Sequence, residues 1–337
     1  MLRKPPRRSI MTGLAMWLIT ARLARQAAAQ TRVKVAALFP GRVDDGGFMQ
    51  AGYDGLLAAK AQFGVDIDYL DGIPPQRAAL EAALRRLADT APHLVVAHGG
   101  QNSEAIRAVA PEFPSIRFIV TQGNVAGPNI GSIEVLQEQS AWLAGALAGL
   151  ITRTNVVGHM SGIRVAPGLK GRAAYADGLR ATNPSARFLT NFSGDQDDNA
   201  LSRRVATGMA DAGADVLFTM LNAGRVGAID VCRARNIAQI GNVKDWVAAV
   251  PDVFIASAVA DSGLAVFAAV EDALTQRPGA GEMRHIGLER PEAVRLVMSA
   301  QVPPTIRHTI GDFATAMATG RLTPTVEWSG AEFATPI

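Results

Sequence analysis

The fold is decided by the first strand–helix unit of the chain, residues 33–63, which read VKVAALFPGRVDDGGFMQAGYDGLLAAKAQF. Val33–Phe39 is a nearly continuous apolar run that ends at Pro40-Gly41, as a buried strand does. Phe48–Phe63 then places its apolar residues at helical spacing. A buried strand followed closely by a helix of this kind predicts the repeating unit of a parallel α/β sheet.

The same alternation continues along the chain and restarts once. Further strands are predicted at 65–70, 94–97, 116–121, 130–136, 156–160, 187–192, 216–220, 237–241 and 253–259, and further helices at 76–88, 103–110, 138–152, 169–181, 200–212, 225–235 and 262–274. Pro303-Pro304 then precedes a last helix. Two such series predict an α/β protein of two Rossmann-like lobes with helices on both faces of each sheet.

No flexible linker separates the two series, so we expect a compact hinge between the lobes. We assign residues 30–135 plus about 260–285 to the N-terminal lobe, and 136–259 plus about 286–337 to the C-terminal lobe. Ligands of open parallel sheets bind beyond the carboxyl ends of the strands. Two such sheets facing each other predict a ligand site in the cleft between the lobes.

Length and composition limit the class of protein. The 337 residues are enough for two domains, and 48% hydrophobic with 19% charged residues argue against a disordered chain. Aromatic residues at 6% argue against a protein that stacks nucleic-acid bases, and the single Cys232 excludes an internal disulfide. We therefore expect a globular protein with no nucleic-acid partner.

The first 29 residues have the pattern of an export signal. Six basic residues and no acid accompany the apolar run Ile10–Ala21, which is followed by Ala27-Ala28-Ala29. We expect cleavage near Ala29, and Arg7-Arg8 leaves both a twin-arginine and an ordinary secretory route open. No Cys stands at the cleavage position, so we expect no lipid anchor there. Removing six of the 33 basic residues leaves 27 against 30 acids, a net charge near −3.

No arrangement of residues in the sequence predicts catalysis or metal binding. The five histidines lack metal-ligand spacing, and Cys232 lies on a helical pattern where most cysteines belong to the core. The sequence contains no nucleophile-elbow, phosphate-loop or dinucleotide-binding motif. We therefore predict a protein that is not an enzyme and that uses no cofactor and no metal.

Polar side chains follow nearly every predicted strand. Asp45 and Phe48 flank Gly46-Gly47 after the first strand, and they combine a carboxylate acceptor with a flat aromatic face. Asp45 is also a candidate N-cap, and each of the other polar residues has a second interpretation as turn chemistry. Together they favour a neutral polar ligand that is bound through hydrogen bonds. The predicted ligand-binding residues are Asp45, Phe48, Gln101, Gln122, Gln196, Asn222, Asn242 and Asp261.

Short motifs along most of the chain carry a resemblance to a known family. They are Asp45-Gly46-Gly47-Phe48, Tyr53-Asp54-Gly55-Leu56, Phe113–Phe118, Asn129–Ser132, Ala141–Ala148, Val157-Gly158, Asn183-Pro184 and Gly213–Val216. On these motifs the chain resembles the basic membrane protein (BMP) family, the extracytoplasmic solute-binding components of ABC importers related to purine nucleoside-binding lipoproteins. The resemblance implies a type I periplasmic-binding-protein fold and, without an anchoring Cys, a free periplasmic protein.

The resemblance also bears on the ligand. It implies that Phe48 stacks on a purine base and that Asp45 lies in the same ligand loop. Elsewhere the sequence departs from the family. Met49 stands where an Asn is usual, and Gln122 and Asn242 each stand where an Asp is usual. Gln196 replaces an aromatic residue, and Ala260 replaces a Lys. Two missing acids weaken a bidentate grip on ribose hydroxyls. One missing ring removes half of a stacking arrangement worth about 1–3 kcal/mol per base.

We predict a periplasmic substrate-binding protein of an ABC-type importer. It closes its lobes around a small polar heterocycle, a purine nucleobase or nucleoside, and delivers it to an inner-membrane permease. We expect a monomer, and other heterocycles or a non-purine metabolite stay open as ligands. The alternatives are a periplasmic sensor for a membrane receptor and a two-domain α/β enzyme.

Overall fold

The computed structural model describes residues 32–275 and 281–334. The predicted export signal lies outside the described residues. From Lys34 onward the described chain forms one compact unit. Within that part of the chain, no helix combines the length and the apolar character needed to cross a bilayer.

Strands and helices alternate along the described chain. In order they are β1 (Lys34–Leu38), α1 (Phe48–Phe63), β2 (Asp66–Leu70), α2 (Arg77–Ala88), β3 (Leu94–His98), α3 (Ser103–Val109), β4 (Arg117–Thr121), β5 (Ile130–Val135), α4 (Gln137–Ile151), β6 (Val156–Ser161), α5 (Ala166–Thr182), β7 (Arg187–Phe192), α6 (Asn199–Asp211), β8 (Val216–Met220), α7 (Arg225–Arg235), β9 (Ala238–Val243), α8 (Trp246–Ala249), β10 (Phe254–Ala260), α9 (Gly263–Leu274), β11 (Met283–Ile286), β12 (Val294–Met298) and α10 (Pro304–Ala318). The sequence patterns predicted all of these except α8, β11 and β12.

The strands form two six-stranded sheets with the same core order. The first sheet runs β11-β5-β4-β3-β1-β2 and is parallel throughout. The second runs β12-β10-β9-β8-β6-β7, and its edge strand β12 is antiparallel to β10. The predicted two-lobed α/β fold is confirmed. Among the described strands β12, which the sequence patterns did not predict, is antiparallel to its neighbour, because it follows a loop that returns from the first lobe instead of a crossover helix.

The described chain crosses between the lobes at three places. These are Leu136 between β5 and α4, Asp261-Ser262 between β10 and α9, and residues 287–293 between β11 and β12. The crossings are hydrogen-bonded through their backbones, with Leu136 N donating to Ile286 O at 2.8 Å and Asp261 N to Ala293 O at 2.8 Å. The connection between the lobes is therefore compact and hydrogen-bonded, and in the described chain it contains no long linker.

Close packing of two helices stabilises the second lobe. α4 contains buried alanines and glycines, and it lies against α5 and β10. A Cβ added at Gly145 of α4 would overlap the backbone oxygen of Tyr175, and one added at Gly178 of α5 would overlap that of Trp142. The two helix backbones therefore approach more closely than any side chain at these positions allows.

Candidate functional site

A cavity of about 340 Å³ lies between the lobes, where the carboxyl ends of the strands of both sheets meet. In each sheet the chain order reverses beside the first strand, and ligands of open α/β sheets bind at such switch points. Six of the eight residues predicted from the sequence line this cavity, and two do not. The six are Phe48, Gln101, Gln122, Gln196, Asn222 and Asn242.

Phe48 is fixed by a buried histidine at the end of β3. The Phe48 and His98 rings are stacked, with centroids 4.2 Å apart and an interplanar angle of 23°. His98 Nε2 lies 2.9 Å from Phe48 O and its Nδ1 lies 2.8 Å from Thr121 Oγ1. Since a carbonyl only accepts, Nε2 carries the proton and Nδ1 accepts from the Thr121 hydroxyl. Complete burial lowers the pKa of His98 to about 4, so the ring that supports Phe48 is neutral.

The half-buried Phe48 ring is the aromatic surface of the cavity. One face is covered by His98, which leaves the opposite face for a ligand. An aromatic heterocycle stacked there gains both area burial and favourable ring geometry.

Asn222 and Asn242 belong to the second lobe, and both line the cavity. Phe48 N, in the first lobe, donates to Asn222 Oδ1 at 3.3 Å. Arg225 Nη2 donates to Asn242 Oδ1 at 2.7 Å. Because both donors can only donate, they fix the orientation of the two side-chain amides, and each amide oxygen already accepts one hydrogen bond.

Gln122 lines the cavity, but its side chain serves the sheet. Its Nε2 donates to Val135 O at 3.0 Å, and its Oε1 accepts from Val135 N at 2.5 Å. The amide thus extends the pairing of β4 with β5 and has little capacity for a ligand.

Two residues at strand ends in the cavity wall have an unusual backbone conformation. Gln122 and Val243 have positive φ angles of 54° and 68°. For β-branched Val243 this conformation is strained, as residues at binding sites often are.

Asp45 and Asp261 lie outside the cavity lining and act as caps. The Asp45 carboxylate accepts from the backbone N–H groups of Gly47, Met49 and Gln50 at 2.7, 3.1 and 3.1 Å. The Asp261 carboxylate accepts from Gly263 N at 2.9 Å at the start of α9, and its burial raises its pKa. For Asp45, this geometry corresponds to the capping interpretation.

Gln101 and Gln196 have uncommitted side chains. Gln101 lies in the 3₁₀ turn after β3, and Gln196 lies in the loop after β7. In residues 32–275 and 281–334 neither side-chain amide has a hydrogen-bond partner. Each can therefore turn its donor or its acceptor toward a ligand.

A charged cluster that the sequence did not predict forms another part of the wall. Lys170 Nζ of α5 lies 2.5 Å from Glu134 Oε1 of β5 in the opposite lobe, and 3.9 Å from Glu138 Oε1. Burial lowers the pKa of Lys170, but the hydrogen bond that Lys170 donates to Glu134 and the negative charges of Glu134 and Glu138 outweigh burial and raise the pKa overall. Burial also raises the pKa of Glu138. Lys170 lies within a helix and Glu134 within a strand, so the pattern of polar residues at strand ends does not indicate them.

The cavity combines one aromatic face with amides and a paired charge. Among the described residues, no three His, Cys, Asp or Glu side chains converge where a metal ion could be held. Cys232 is free and buried, and burial raises the pKa of its thiol to about 12, which makes it a poor nucleophile.

Sequence comparison relates the chain to one protein family. The profile of the Bmp family, described as "ABC transporter substrate-binding protein PnrA-like", matches residues 32–302. "Transcriptional activator protein med" of Bacillus subtilis is 24% identical over 212 residues, which cover 63% of this chain and 66% of that protein. "ABC transporter nucleoside-binding protein BmpA" of Lactococcus lactis is 23% identical over 145 residues, 43% of this chain and 41% of that protein. The chain thus spans less than two thirds of either curated relative.

Structural comparison gives the same result. A solute-binding protein of an ABC transporter system from Conexibacter woesei superposes with a TM-score of 0.70 at 25% identity. The superposition covers 87% of this chain and 99% of that chain. The predicted type I periplasmic-binding fold is confirmed by this similarity.

Proposed function

The chain belongs to the PnrA-like family of ABC transporter substrate-binding proteins, and we propose that it captures a purine nucleobase or nucleoside between its lobes. Family and fold point to a solute-binding protein and not to an enzyme. In this proposal the protein acts in the periplasm as a monomer. It releases its ligand to an inner-membrane ABC permease.

The observation that carries the ligand class is the open face of Phe48 at the edge of the interlobe cavity. The ring is held by His98 from behind, while amide side chains surround the space in front of it. A cavity of about 340 Å³ lies within the range of small-molecule sites, about 300–1,000 Å³. A flat heterocycle with several hydrogen-bonding atoms fits this combination. The similarity to the nucleoside-binding protein of Lactococcus lactis supports the same class.

Lobe closure is the mechanism that the contacts across the cleft support. Phe48 N bonds to Asn222 Oδ1, Lys170 pairs with Glu134, and Lys244 Nζ lies 3.7 Å from Asp54 Oδ2. These contacts join the two lobes on several sides of the cavity. A ligand that touches both lobes binds the closed state better than the open one and shifts the population toward it.

A thermal-shift screen followed by calorimetry tests the proposal. The purified chain is screened against nucleobases, nucleosides, sugars and amino acids. We expect purines to raise the melting temperature, since a ligand at 100 times its Kd adds about 2.7 kcal/mol of stability. Stabilisation by sugars or amino acids, with no response to any purine, would reject the proposed ligand class.

A further inference from the structure

Arg225 is a buried cation directly behind the cavity wall. It is the first residue of α7 and its side chain is 2% exposed. The guanidinium donates from Nη1 to Thr219 O at 3.0 Å, from Nη2 to Leu221 O, and from Nη2 to Asn242 Oδ1 at 2.7 Å. Its Cζ lies 4.3 Å from the centroid of the Trp246 ring. Four neighbours therefore hold the guanidinium in one orientation.

The charge of Arg225 has no adjacent counter-ion. In the described chain no carboxylate lies within 4.0 Å of its guanidinium, and its Nε has no hydrogen-bond partner. Burial lowers its pKa to about 9, which still leaves it protonated at neutral pH, and Asp45 of the other lobe is the acid that acts on it. The Asp45 carboxylate is already bonded to three backbone N–H groups. A buried charge without a partner is costly, and an added negative group nearby would relieve it.

The bond from Arg225 also decides which way Asn242 points. A guanidinium only donates, so the amide oxygen of Asn242 must face it and the NH₂ group must point elsewhere. Asn222 is oriented in the same way by the backbone N–H of Phe48. Both asparagines line the cavity, and among the described residues their NH₂ groups have no protein acceptor. This part of the wall therefore offers donors backed by a positive charge.

We propose that Arg225 is a positioning residue that makes the Asn222–Asn242 wall select a ligand with a negatively charged oxygen or ring nitrogen. This inference rests on the proposed function and narrows it. Within the purines it favours anionic oxopurines over ribosides, whose hydroxyl groups need acceptors. The polar residues at the strand ends alone predicted a neutral ligand. The buried charge of Arg225 changes this expectation, and that charge is not indicated by the pattern of strand-end residues.

The charged cluster across the cavity does not cancel this preference. Lys170 is paired with Glu134 at 2.5 Å, so these two charges neutralise each other locally. Glu138, the third member of the cluster, lies outside the cavity lining, and burial raises its pKa, which disfavours its negative charge. Charge-assisted hydrogen bonds are roughly twice as strong as neutral ones, so an anionic acceptor gains most from the Asn242 amide.

Two pairs of planar heterocycles that differ in charge test the inference by calorimetry at neutral pH, and the dependence of each affinity ratio on Arg225 separates the effect of charge from that of other ring substituents. Urate, a monoanion, is compared with neutral hypoxanthine, and nicotinate is compared with neutral nicotinamide. We expect the wild-type chain to bind the anion of at least one pair about tenfold more tightly than its neutral partner. Arg225→Met should bring this ratio close to one, and Arg225→Lys, which keeps the charge, should restore part of it.

Asn242→Asp supplies a second test that does not depend on the stability of the Arg225 variants. An aspartate at this position can pair with Arg225 and present acceptors to the cavity. We expect it to lose the preference for anions and to bind inosine more tightly than the wild-type chain does. Arg233→Met is the matched control, because Arg233 lies on the same helix in an exposed pair with Asp252. A merely structural defect would weaken both members of a pair equally and leave the ratio unchanged.

The outcomes separate this inference from the proposed function. Purines that bind without preference for the anion in either pair would overturn the inference and keep the proposed function. An Arg225-dependent preference for nicotinate, with no purine bound, would reject the purine assignment and support the selection of anions. An anion preference that persists in Arg225→Met, or no preference in either pair, overturns the inference.

Discussion

Phe48 shows how one side chain becomes a binding surface through its neighbours. Its ring is stacked on His98, whose two nitrogens are held by Phe48 O and Thr121 Oγ1. Gly52 permits this arrangement, because a Cβ there would lie 2.6 Å from the His98 ring. The ring is therefore pre-organised, and a ligand that stacks on it has less ordering entropy to overcome.

Phe48→Ala should weaken the purine found in the screen by at least about tenfold, because base–aromatic stacking contributes about 1–3 kcal/mol. Calorimetry measures the change, and circular dichroism checks the fold. Phe63→Ala is the control on the same helix, since Phe63 packs on Phe267 with ring centroids 5.1 Å apart and lies outside the cavity. Equal affinities of the wild-type and Phe48→Ala chains would remove Phe48 from the site.

The buried side chain of His159 should make the free energy of unfolding depend on pH in the acid range. It is fully buried, its Nδ1 lies 2.9 Å from Thr190 Oγ1, and burial with the nearby Arg172 charge lowers its pKa to about 3. The unfolded chain takes up a proton on this side chain below about pH 6.5, and the folded chain does not until about pH 3. The contribution of His159 to stability is therefore present above pH 6.5. It is lost as the pH falls, by up to about 1.4 kcal/mol per unit.

His159→Gln removes this titration and keeps a polar side chain at the same place. Urea unfolding at several pH values between 7 and 4 measures both chains. We expect the free energy of unfolding of the wild type to fall more steeply than that of the variant. Other groups titrate equally in both chains and cancel in the difference. Parallel curves over this range would contradict the assignment of His159 as a buried neutral histidine.

Strand-end patterns predicted the residues that face the cavity better than what those residues do there. Phe48, Asn222 and Asn242 line it because parallel strands deliver their carboxyl ends to one edge. Gln122 also lines the cavity, but its side-chain amide is hydrogen-bonded to the backbone of Val135, and this pairing depends on the register of β4 and β5. The sequence did not indicate a role for Arg225, because a polar residue at the start of a helix is common. Its importance comes from burial, which the local sequence does not encode.

At the scale of elements, the backbones of α4 and α5 approach each other closely. Gly145→Ala would place a Cβ against the Tyr175 carbonyl oxygen and 3.0 Å from Leu179 N. Both are backbone atoms that cannot rotate away, so we expect a loss of about 1–3 kcal/mol or more. Urea unfolding of the variant and the wild type provides the measurement.

Gly311→Ala is the matched control for this substitution. Gly311 lies inside α10 with nothing within 4 Å of its added Cβ, so the same change relieves only the helix penalty of glycine. We expect a gain of about 0.5–1 kcal/mol. Similar effects at the two positions would show that backbone approach does not determine the packing of α4 on α5.

The two strands missed by the sequence share a physical cause. β11 and β12 have four and five residues, and in both most side chains are only partly buried or exposed. Edge strands of this kind lack the continuous apolar run that identifies β3 or β8. Their pairing depends on the crossings between lobes, which are long-range contacts. By contrast, Phe48–Phe63 was predicted with both ends correct, because a glycine pair precedes it and Gly64 ends it in a left-handed conformation with φ 66°.

At the scale of the whole molecule, Gly47 reports on lobe closure. It precedes α1 in the first lobe and lies against Asn222 of the second. A Cβ at Gly47 would overlap Asn222 Oδ1 and lie 2.8 Å from Cγ and 3.2 Å from Cα. The Asn222 backbone is therefore part of the obstacle, and a rotamer change alone does not remove it. An added methyl group should force the lobes apart while leaving each lobe intact.

Gly47→Ala should lower ligand affinity by at least about tenfold, since apparent affinity falls with the population of the competent closed state. Small-angle scattering at saturating ligand should give a larger radius of gyration than for the wild type, and Gly311→Ala should match the wild type in both measurements. Thermal unfolding without ligand should change little, because the contact lies between lobes and not within one. An unchanged affinity and an unchanged scattering curve would show that the ligand is held without close approach of Gly47 to Asn222. Closure would then depend on the other contacts across the cleft, Lys170 with Glu134 and Lys244 with Asp54.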